Sequence, residues 1–370
     1  MCLLGKNVDL TVRLIILAGC EGMMKNSGHV DVGPATKTAK AIAAMSGGLD
    51  SIVAAALVKG LGIDVILLHV QHFFSASEKK CARLQQVADR LELPLRIVDA
   101  SVDHLETVRR PKYGYGKGMN PCVDCRIFLL QVAKRVMEEE GAQFVITGEV
   151  LGQRPKSQHH RELMRVAEES GLGNRLLRPL SANLLPDTLP ITKGWLRKED
   201  LLSIQGRSRQ QQITLAAELG ITEYPQSAGG CVLTERVYAA RLRDAFDHLG
   251  RDSVDLEQFR LLRCGRHFRV SERAKAIIGR NESENEALAG LAEGRIRIDP
   301  AEVMGPTTLI EGDPTDEELR LVASLAARYC DVDEGALVAF DVRDQGASRR
   351  VEVAALDRDD PRIAAWRIGG

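Results

Sequence analysis

The amino-acid sequence predicts an α/β domain built on a parallel sheet, followed by a smaller α+β domain. The 370 residues are too many for one average domain and suit two. From residue 38 onward, apolar runs of strand length alternate with segments of helical periodicity, which is the pattern of repeated βαβ units. Nearer the C-terminus, helices and short strands follow each other without that alternation. We therefore expect an N-terminal extension at 1–36, the α/β domain at 37–234 and the α+β domain at 235–370.

The elements of the first domain follow from its apolar periodicity. The predicted strands lie at 39–45, 64–70, 95–98 and 144–147, and the predicted helices begin at Ser51 or span 77–91, 123–140, 157–170 and 207–219. Residues 176–195 are rich in Pro and Leu and have no clear period. Strands with this spacing form a parallel sheet with right-handed crossovers, and ligands bind beyond the carboxyl ends of its strands.

The second domain has a mixed order of elements and an acidic balance. The predicted helices lie at 234–249, 281–291 and 315–329, and the predicted strands at 259–264, 267–270, 295–298, 307–310, 336–342 and 350–356. Residues 241–370 carry 20 basic and 26 acidic side chains. This balance excludes an indiscriminate nucleic-acid binder, so any RNA contact in this domain must be local.

Composition also excludes membrane and secreted classes. The hydrophobic fraction of 44% and the charged fraction of 27% are ordinary for a soluble globular protein, and no stretch approaches the roughly 20 apolar residues that span a bilayer. Eight cysteines are too few for the disulfide scaffold of a secreted protein. We expect a cytoplasmic protein that has no membrane partner.

A glycine-rich loop follows the first predicted strand and leads into a helix. It reads Ser46-Gly47-Gly48-Leu49-Asp50-Ser51. Backbone N–H groups of the glycines and of the helix N-terminus converge there, which suits a phosphate, and Asp50 can help to hold Mg²⁺ beside a triphosphate. The alternative is a tight strand-to-helix turn that Asp50 caps.

This loop resembles that of the PP-loop ATP pyrophosphatases, and it differs from the Lys-containing P-loop and from the dinucleotide-binding loop. The resemblance implies a domain of the adenine nucleotide alpha hydrolase type that binds Mg-ATP. It also implies the reaction: a substrate oxygen attacks the α-phosphorus, pyrophosphate leaves, and nitrogen or sulfur then displaces AMP.

Three cysteines are candidates for sulfur chemistry. Cys122 and Cys125 form a Cys-x-x-Cys pair at the start of a predicted helix, where the helix dipole favours the thiolate. Cys231 follows Gly229-Gly230 in a stretch that could return to the same rim. Three thiolates suit a [4Fe–4S] cluster with one open iron, and a redox-active pair of thiols is the alternative.

The segment 147–158 follows a predicted strand and resembles part of the tRNA 4-thiouridine synthases. Its Thr-Gly-Glu-x-Leu-Gly-Gln run contains Gly148 and Gln153, which the resemblance assigns to ATP binding. Asn120-Pro121-Cys122 is similar to a motif of the tRNA 2-thiouridylases, and the cysteine pattern resembles that of the iron–sulfur tRNA thiolases. These likenesses imply that the three cysteines hold a cluster that binds hydrosulfide, or else a persulfide that Cys231 resolves. Sulfide and a carrier charged by a cysteine desulfurase both stay open as sulfur donors.

Two basic stretches are candidates for tRNA contact. Residues 151–210 carry 11 basic and 6 acidic side chains, among them Arg154 and Lys156, and a solvated mixed-charge surface is the alternative. Residues 260–280 carry seven basic side chains and one acidic side chain. The candidates for base or phosphate contact in that stretch are Arg263, Arg266 and Arg269.

The stretch around 259–269, with 279–285 and 305–310, resembles the RNA-binding domain of NFACT proteins. The alternative is an exposed hairpin of a dimerisation or lid domain, so a homodimer also stays open. Together these features predict an ATP-dependent tRNA uridine sulfurtransferase, with Asp50 and the three cysteines as catalytic residues. Its alternatives are a small-molecule sulfurtransferase or amide-forming ligase with the same loop, and an RNA-binding module with a vestigial nucleotide fold.

Overall fold

The computed structural model describes residues 39–74, 78–154, 157–224, 231–333, 335–357 and 359–370, which form two compact units. The first unit contains the described residues up to Gly114 and those from Pro121 to Gly229. The second unit contains Tyr115–Asn120 and the described residues after Gly229. The predicted N-terminal extension at 1–36 lies outside the described residues.

The first unit is built on a five-stranded sheet in which all pairs are parallel. Its strands are β1 (Lys40–Ala44), β2 (Asp64–Gln71), β3 (Leu95–Asp99), β4 (Phe144–Thr147) and β5 (Leu176–Leu177). They lie in the order β3-β2-β1-β4-β5, so the direction of winding reverses between β1 and β4. The predicted parallel α/β architecture is therefore confirmed.

Helices cover both faces of this sheet. They are α1 (Leu49–Gly60), α2 (Glu78–Arg90), α3 (Asp103–Arg109), α4 (Cys122–Glu139), α5 (His160–Glu169), α6 (Leu189–Thr192) and α7 (Gln210–Glu218). Ala41 and Ala43 of β1 pack in one apolar cluster with residues of α1, whereas Ile42 packs in another with residues of α4. Because successive strand residues point to opposite faces, this division places α1 and α4 on opposite sides of the sheet.

The second unit contains a six-stranded antiparallel sheet in the order β11-β10-β8-β9-β7-β6. The strands are β6 (Arg266–Arg269), β7 (Ala274–Ile278), β8 (Ile296–Pro300), β9 (Thr308–Gly312), β10 (Leu337–Asp344) and β11 (Ala347–Ala354). The helices are α8 (Arg236–Leu249), α9 (Leu256–Leu261), α10 (Glu282–Gly290), α11 (Asp316–Ala327) and α12 (Pro361–Trp366). The predicted α+β character is confirmed.

One predicted strand of this unit was wrong, and one strand was missed. Residues 259–264 were expected to form a strand, but α9 covers their first half because Asp255 caps that helix, accepting a hydrogen bond from Gln258 N at 2.9 Å. Strand β7 was not predicted, although all five of its residues are buried. Lys275 interrupts its apolar pattern, and Lys275 is buried because Glu311 lies 2.9 Å from its ammonium.

No helix in the described parts of the chain is both long enough and apolar enough to cross a membrane.

Candidate functional site

The site lies at the carboxyl edge of the parallel sheet, where the strand order reverses between β1 and β4. Strand β1 ends at Ala44 and leads into the loop 46–51, and β4 ends at Thr147 and leads into Gly148. Ligands of open α/β sheets bind in the crevice at such a reversal. Two segments that are distant in sequence and predicted to bind ATP are thereby brought to one crevice.

The loop is shaped to approach an anion. Gly47 adopts φ +81°, a backbone conformation that favours glycine, and Gly48 is the N-cap of α1. The Ser51 hydroxyl donates to Gly48 O at 2.8 Å and lies 3.2 Å from the Ser46 hydroxyl. These contacts hold the loop against the first turn of the 12-residue helix, whose N-terminus carries the positive end of the helix dipole.

Asp50 has a carboxylate oxygen suited to a hard cation. Its Oδ2 accepts a hydrogen bond from Gln153 Nε2 at 3.2 Å, and Arg209 Nε lies 3.9 Å from Oδ1. Oδ1 is buried and has no hydrogen-bond donor among the described residues. Burial raises the pKa of Asp50, and Arg209 and Gln153 oppose that rise. Mg²⁺ prefers carboxylate oxygens as ligands, so Asp50 Oδ1 suits this ion. The position of Arg209 beside Asp50 was not predicted from the sequence.

Gly148 packs directly on the loop. A Cβ at this position would lie 2.4 Å from the carbonyl oxygen of Asp50 and 2.5 Å from Ser51 N. Only glycine therefore allows the end of β4 to approach the start of α1 so closely. The structure assigns Gly148 a packing role beside the loop, while its predicted contact with ATP stays a prediction.

Glu149 links three parts of the first unit. It is buried, accepts a hydrogen bond from Arg178 Nε at 2.7 Å, and forms an ion pair with Arg126 in the first turn of α4. Burial alone would raise the pKa of Glu149, but Arg126 and Arg178 hold it below its usual range. The N-terminus of α4, which carries the Cys-x-x-Cys pair, is thereby fixed near the carboxyl end of β4.

The three predicted cysteines come from both units. Cys122 is the first residue of α4, and Cys125 follows one helical turn later; both are half-buried. Cys231 belongs to the second unit, where its carbonyl accepts from the Thr234 hydroxyl at 2.6 Å. The structure brings Cys122 and Cys125 to one helix end, and the grouping of Cys231 with them stays a prediction.

Two histidines adjoin Cys125 that sequence reasoning did not group with it. His104 Nε2, on α3, lies 3.1 Å from Cys125 Sγ, and the His72 ring stacks on the His104 ring with centroids 4.3 Å apart. Burial lowers the pKa of His72 to about 3 and that of His104 to about 4, so both imidazoles are neutral near pH 7. Helix α3 was not predicted, and no spacing in the sequence relates His104 to Cys125.

The predicted RNA-binding arginines differ in their surroundings. Arg154 and Arg263 are exposed, while Lys156 lies outside the described residues. Arg266 lies over the Tyr329 ring and donates to Gly279 O at 3.1 Å. Arg269 forms a hydrogen-bonded ion pair with Asp244 at 2.7 Å, which gives it a structural role that the prediction did not include.

A separate cavity of about 470 Å³ lies between parts of α5 and α6, and none of the residues predicted for ATP or sulfur chemistry lines it.

Two family models match different parts of the chain. Residues 36–183 match the family described as "Thiamine biosynthesis protein (ThiI)", and residues 265–367 match "NFACT protein RNA binding domain". The tRNA-specific 2-thiouridylase MnmA of Azorhizobium caulinodans is 29% identical over 296 residues, which cover 74% of this chain and 72% of that protein. A probable tRNA sulfurtransferase of Methanothermobacter thermautotrophicus is 32% identical over 127 residues, covering 32% of this chain and 31% of that protein.

Among solved structures, a 4-thiouridine synthetase in complex with RNA and ATP aligns with this chain at 21% identity and a TM-score of 0.33. The aligned part covers 50% of this chain and 52% of the synthetase chain. The family matches confirm the resemblance expected from the motifs: residues 36–183 are similar to the ThiI family, residues 265–367 are similar to the NFACT RNA-binding domain, and similar proteins include tRNA 2-thiouridylases and tRNA sulfurtransferases.

Proposed function

We propose that this chain is an ATP-dependent tRNA sulfurtransferase, which adenylates a uracil oxygen and replaces it with sulfur. The observation that carries the proposal is the pairing of two features at one sheet edge. The loop 46–51 lies at the end of β1, and the ion pair between Arg126 and Glu149 ties the helix that bears Cys122 and Cys125 to the end of β4. An anion site and a thiol pair close to the same crevice suit a reaction that joins nucleotide and sulfur chemistry.

In the adenylation step, the loop would bind the triphosphate and Asp50 would hold Mg²⁺. The backbone of Gly47 and Gly48 and the N-terminus of α1 offer N–H groups to phosphate oxygens. A uracil carbonyl oxygen attacks the α-phosphorus, the bond from that phosphorus to the bridging oxygen breaks, and pyrophosphate leaves. The substrate carbon then carries AMP as a leaving group.

In the sulfur step, Cys122, Cys125 and Cys231 are the proposed carriers. The thiols of Cys122 and Cys125 lie half-buried within the first turn of α4, and thiolates of cysteine are the usual ligands of iron–sulfur clusters. A [4Fe–4S] cluster bound by the three thiolates would supply an open iron for hydrosulfide. Without a cluster, a carrier protein must transfer the outer sulfur of its own persulfide to the thiolate of Cys122 or Cys125 and keep its thiol, because sulfide cannot form a persulfide without an oxidant. The terminal sulfur of the new persulfide then attacks the activated carbon and AMP leaves. Cys231 then releases the thiolated base by forming a disulfide, which an external thiol must reduce.

Recognition of tRNA is assigned mainly to the second unit. The exposed Arg263 lies two residues before the NFACT-type segment begins at residue 265, and Arg154 offers a further exposed cation in the first unit. Arginine forms forked hydrogen bonds to phosphate and stacks on bases. The proposal includes cytoplasmic action and an external sulfur source, either sulfide or a carrier protein.

The test separates the two half-reactions. The protein, purified without oxygen, is supplied with ATP, unmodified tRNA and either sulfide or a persulfide-bearing carrier protein, and both AMP and thiolated nucleosides are measured. Cys231→Ser should retain tRNA-stimulated AMP formation and lose thiolation. Cys330→Ser, a matched change of another half-buried cysteine in the second unit, should retain both.

Two results would contradict parts of the proposal. Full thiolation by Cys231→Ser would exclude the three-thiol arrangement. If tRNA fails to stimulate AMP formation by the unaltered protein, a small molecule becomes the better substrate class. Iron and sulfide contents of the protein and of Cys122→Ala decide between the cluster and the persulfide.

A further inference from the structure

Three potential metal ligands meet in the first unit, on elements that lie far apart in sequence. His72 directly follows β2, His104 lies on α3, and Cys125 lies on α4. One nitrogen of each imidazole and the Cys125 sulfur all lie within 4.8 Å of one another. This His-His-Cys group differs from the predicted three-cysteine set, with which it shares only Cys125.

The separations suit one tetrahedral ion. Zinc binds histidine nitrogen at about 2.0–2.1 Å and thiolate sulfur at about 2.3 Å, so ligands of one ion lie about 3.4 to 3.6 Å apart. His104 Nε2 and Cys125 Sγ are 3.1 Å apart, and the remaining ligand atoms lie within 4.8 Å. Because the His72 ring stacks on the His104 ring, one of the two rings must turn so that both nitrogens point to the same ion. Two nitrogens and one sulfur also match the donor preference of borderline-soft divalent ions.

The surroundings of the group favour a defined site. His72 and His104 are buried, with 8% and 1% of their surfaces exposed. The rings of Phe74 and Phe128 lie 5.8 Å and 5.3 Å from the His104 ring, between centroids. These rings make the surroundings of His104 apolar, while the half-buried Cys125 leaves one side of the group accessible. A three-ligand zinc site of this kind keeps a fourth position open for water or another ligand.

We propose that His72, His104 and Cys125 bind a divalent metal ion of the zinc class, and that this binding withdraws Cys125 from sulfur chemistry. The Cys125 thiol loses its proton as the metal–sulfur bond forms. A thiolate held by this ion is no longer available to an iron–sulfur cluster or to a persulfide. Metal bound at this group therefore opposes thiolation, a consequence that rests on the proposed function.

Cobalt(II) is a suitable probe, because a cobalt–thiolate bond produces a charge-transfer absorption that nitrogen ligands do not. The full-length protein, freed of metal and kept without oxygen, is titrated with Co²⁺, and Zn²⁺ is then added as competitor. His72→Gln and His104→Gln should each weaken Co²⁺ binding at least about 100-fold, beyond the 10- to 100-fold loss that follows removal of a group that merely orients a ligand. Cys125→Ser should abolish the charge-transfer absorption.

Two controls distinguish this site from the Cys-x-x-Cys pair. His159→Gln changes an exposed histidine of the same unit and should bind Co²⁺ as the unaltered protein does. Cys122→Ser should also bind it unchanged, because Cys122 is outside the group. If Cys122→Ser loses the ion while both histidine variants keep it, the cysteine pair binds the metal and the proposal is wrong. Thermal unfolding shows whether each variant is folded. If His104→Gln does not fold, Co²⁺ binding by His72→Gln decides the proposal.

Iron uptake and thiolation test the consequence separately. Prior loading of the unaltered protein with Zn²⁺ should lower iron uptake and thiolation each at least about 10-fold. In His72→Gln and His104→Gln, prior Zn²⁺ should leave iron uptake and thiolation unchanged. Equal inhibition of all variants would refute the proposed competition. Absence of thiolation from every sample would count against the proposed function, while the Co²⁺ titrations would still decide the metal site.

Discussion

At the scale of single residues, the two carboxylate oxygens of Asp50 have different surroundings. One carboxylate oxygen accepts from Gln153, and the other is buried with no hydrogen-bond donor in the described parts of the chain. A buried carboxylate oxygen without a donor costs free energy unless an ion or ligand compensates for it. This cost is understandable if Mg²⁺ accompanies ATP into the crevice.

The first prediction concerns this carboxylate. Asp50→Asn keeps the size of the side chain but removes its charge, so AMP formation should fall at least about 100-fold, the usual effect of losing one electrostatic group that stabilises a transition state. The measurement is AMP release in the presence of tRNA and Mg²⁺. The control is Asp64→Asn, which changes an exposed residue at the start of β2, away from the carboxyl edge of the sheet where the loop lies. This variant should leave the rate of AMP release unchanged. A variant at position 50 with normal AMP release would mean that the loop does not bind Mg-ATP as proposed.

At the scale of elements, Glu149 connects the end of β4 to α4 and to the segment after β5. Its two guanidinium partners are Arg126 and Arg178, and the side chain of Arg178 is only 2% exposed. Removing one member of such a buried group leaves the other charges uncompensated. The orientation of the cysteine-bearing helix against the sheet therefore depends on this carboxylate.

The second prediction follows from that dependence. Glu149→Gln should lower the free energy of unfolding by about 3–5 kcal/mol at pH 7. Urea unfolding is followed by the fluorescence of Trp195, which packs against Phe144, in a Trp366→Phe background. Glu168→Gln, an exposed change on α5, should have little effect.

The same variant has a defined pH dependence. The folded pKa of Glu149 is depressed, so its stabilising contribution is fully present above the unfolded pKa of about 4.3 and is lost as pH falls through the lower, folded value. The stability difference between the unaltered protein and Glu149→Gln should thus be constant from neutral pH down to about pH 5 and narrow below about pH 4. A difference that narrows already near neutral pH would point to another titrating group.

At the scale of the whole molecule, each unit offers an exposed arginine for RNA. Arg154 belongs to the first unit and Arg263 to the second. Arg263 lies two residues before the NFACT-type part of the chain begins. Contacts to phosphate contribute to affinity through the release of counterions, so their number can be read from the salt dependence of binding.

The third prediction uses that dependence. Arg154→Ala and Arg263→Ala should each weaken tRNA binding and reduce the slope of log affinity against log salt by about one. The double variant should lose the sum of the two effects if the arginines act independently. Arg362→Ala, which removes an exposed arginine paired with Asp360, is the control and should leave the slope unchanged. An unaltered slope for Arg263→Ala would remove that residue from the proposed RNA surface.

Local sequence was sufficient for the parts of this protein that short-range chemistry dictates. The parallel α/β sheet follows from the alternation of apolar runs and helical periods, and the phosphate loop from a run of six residues, 46–51. The Cys122 and Cys125 pair at a helix start likewise depends on a spacing within one turn. Such features are visible because each depends on neighbours in the chain.

The tertiary structure alone decided the features in which distant residues meet. Strand β7 was missed because Lys275 breaks its apolar pattern, and the burial of that charge is explained by Glu311 on a neighbouring strand and by Asp244 on α8. Arg209 beside Asp50, the two arginines around Glu149, and the histidines beside Cys125 were missed for the same reason. Charges and ligands interact more strongly away from water, as in the ion pairs of Glu149, but burial is a property of the folded chain and has no short-range signature in the sequence.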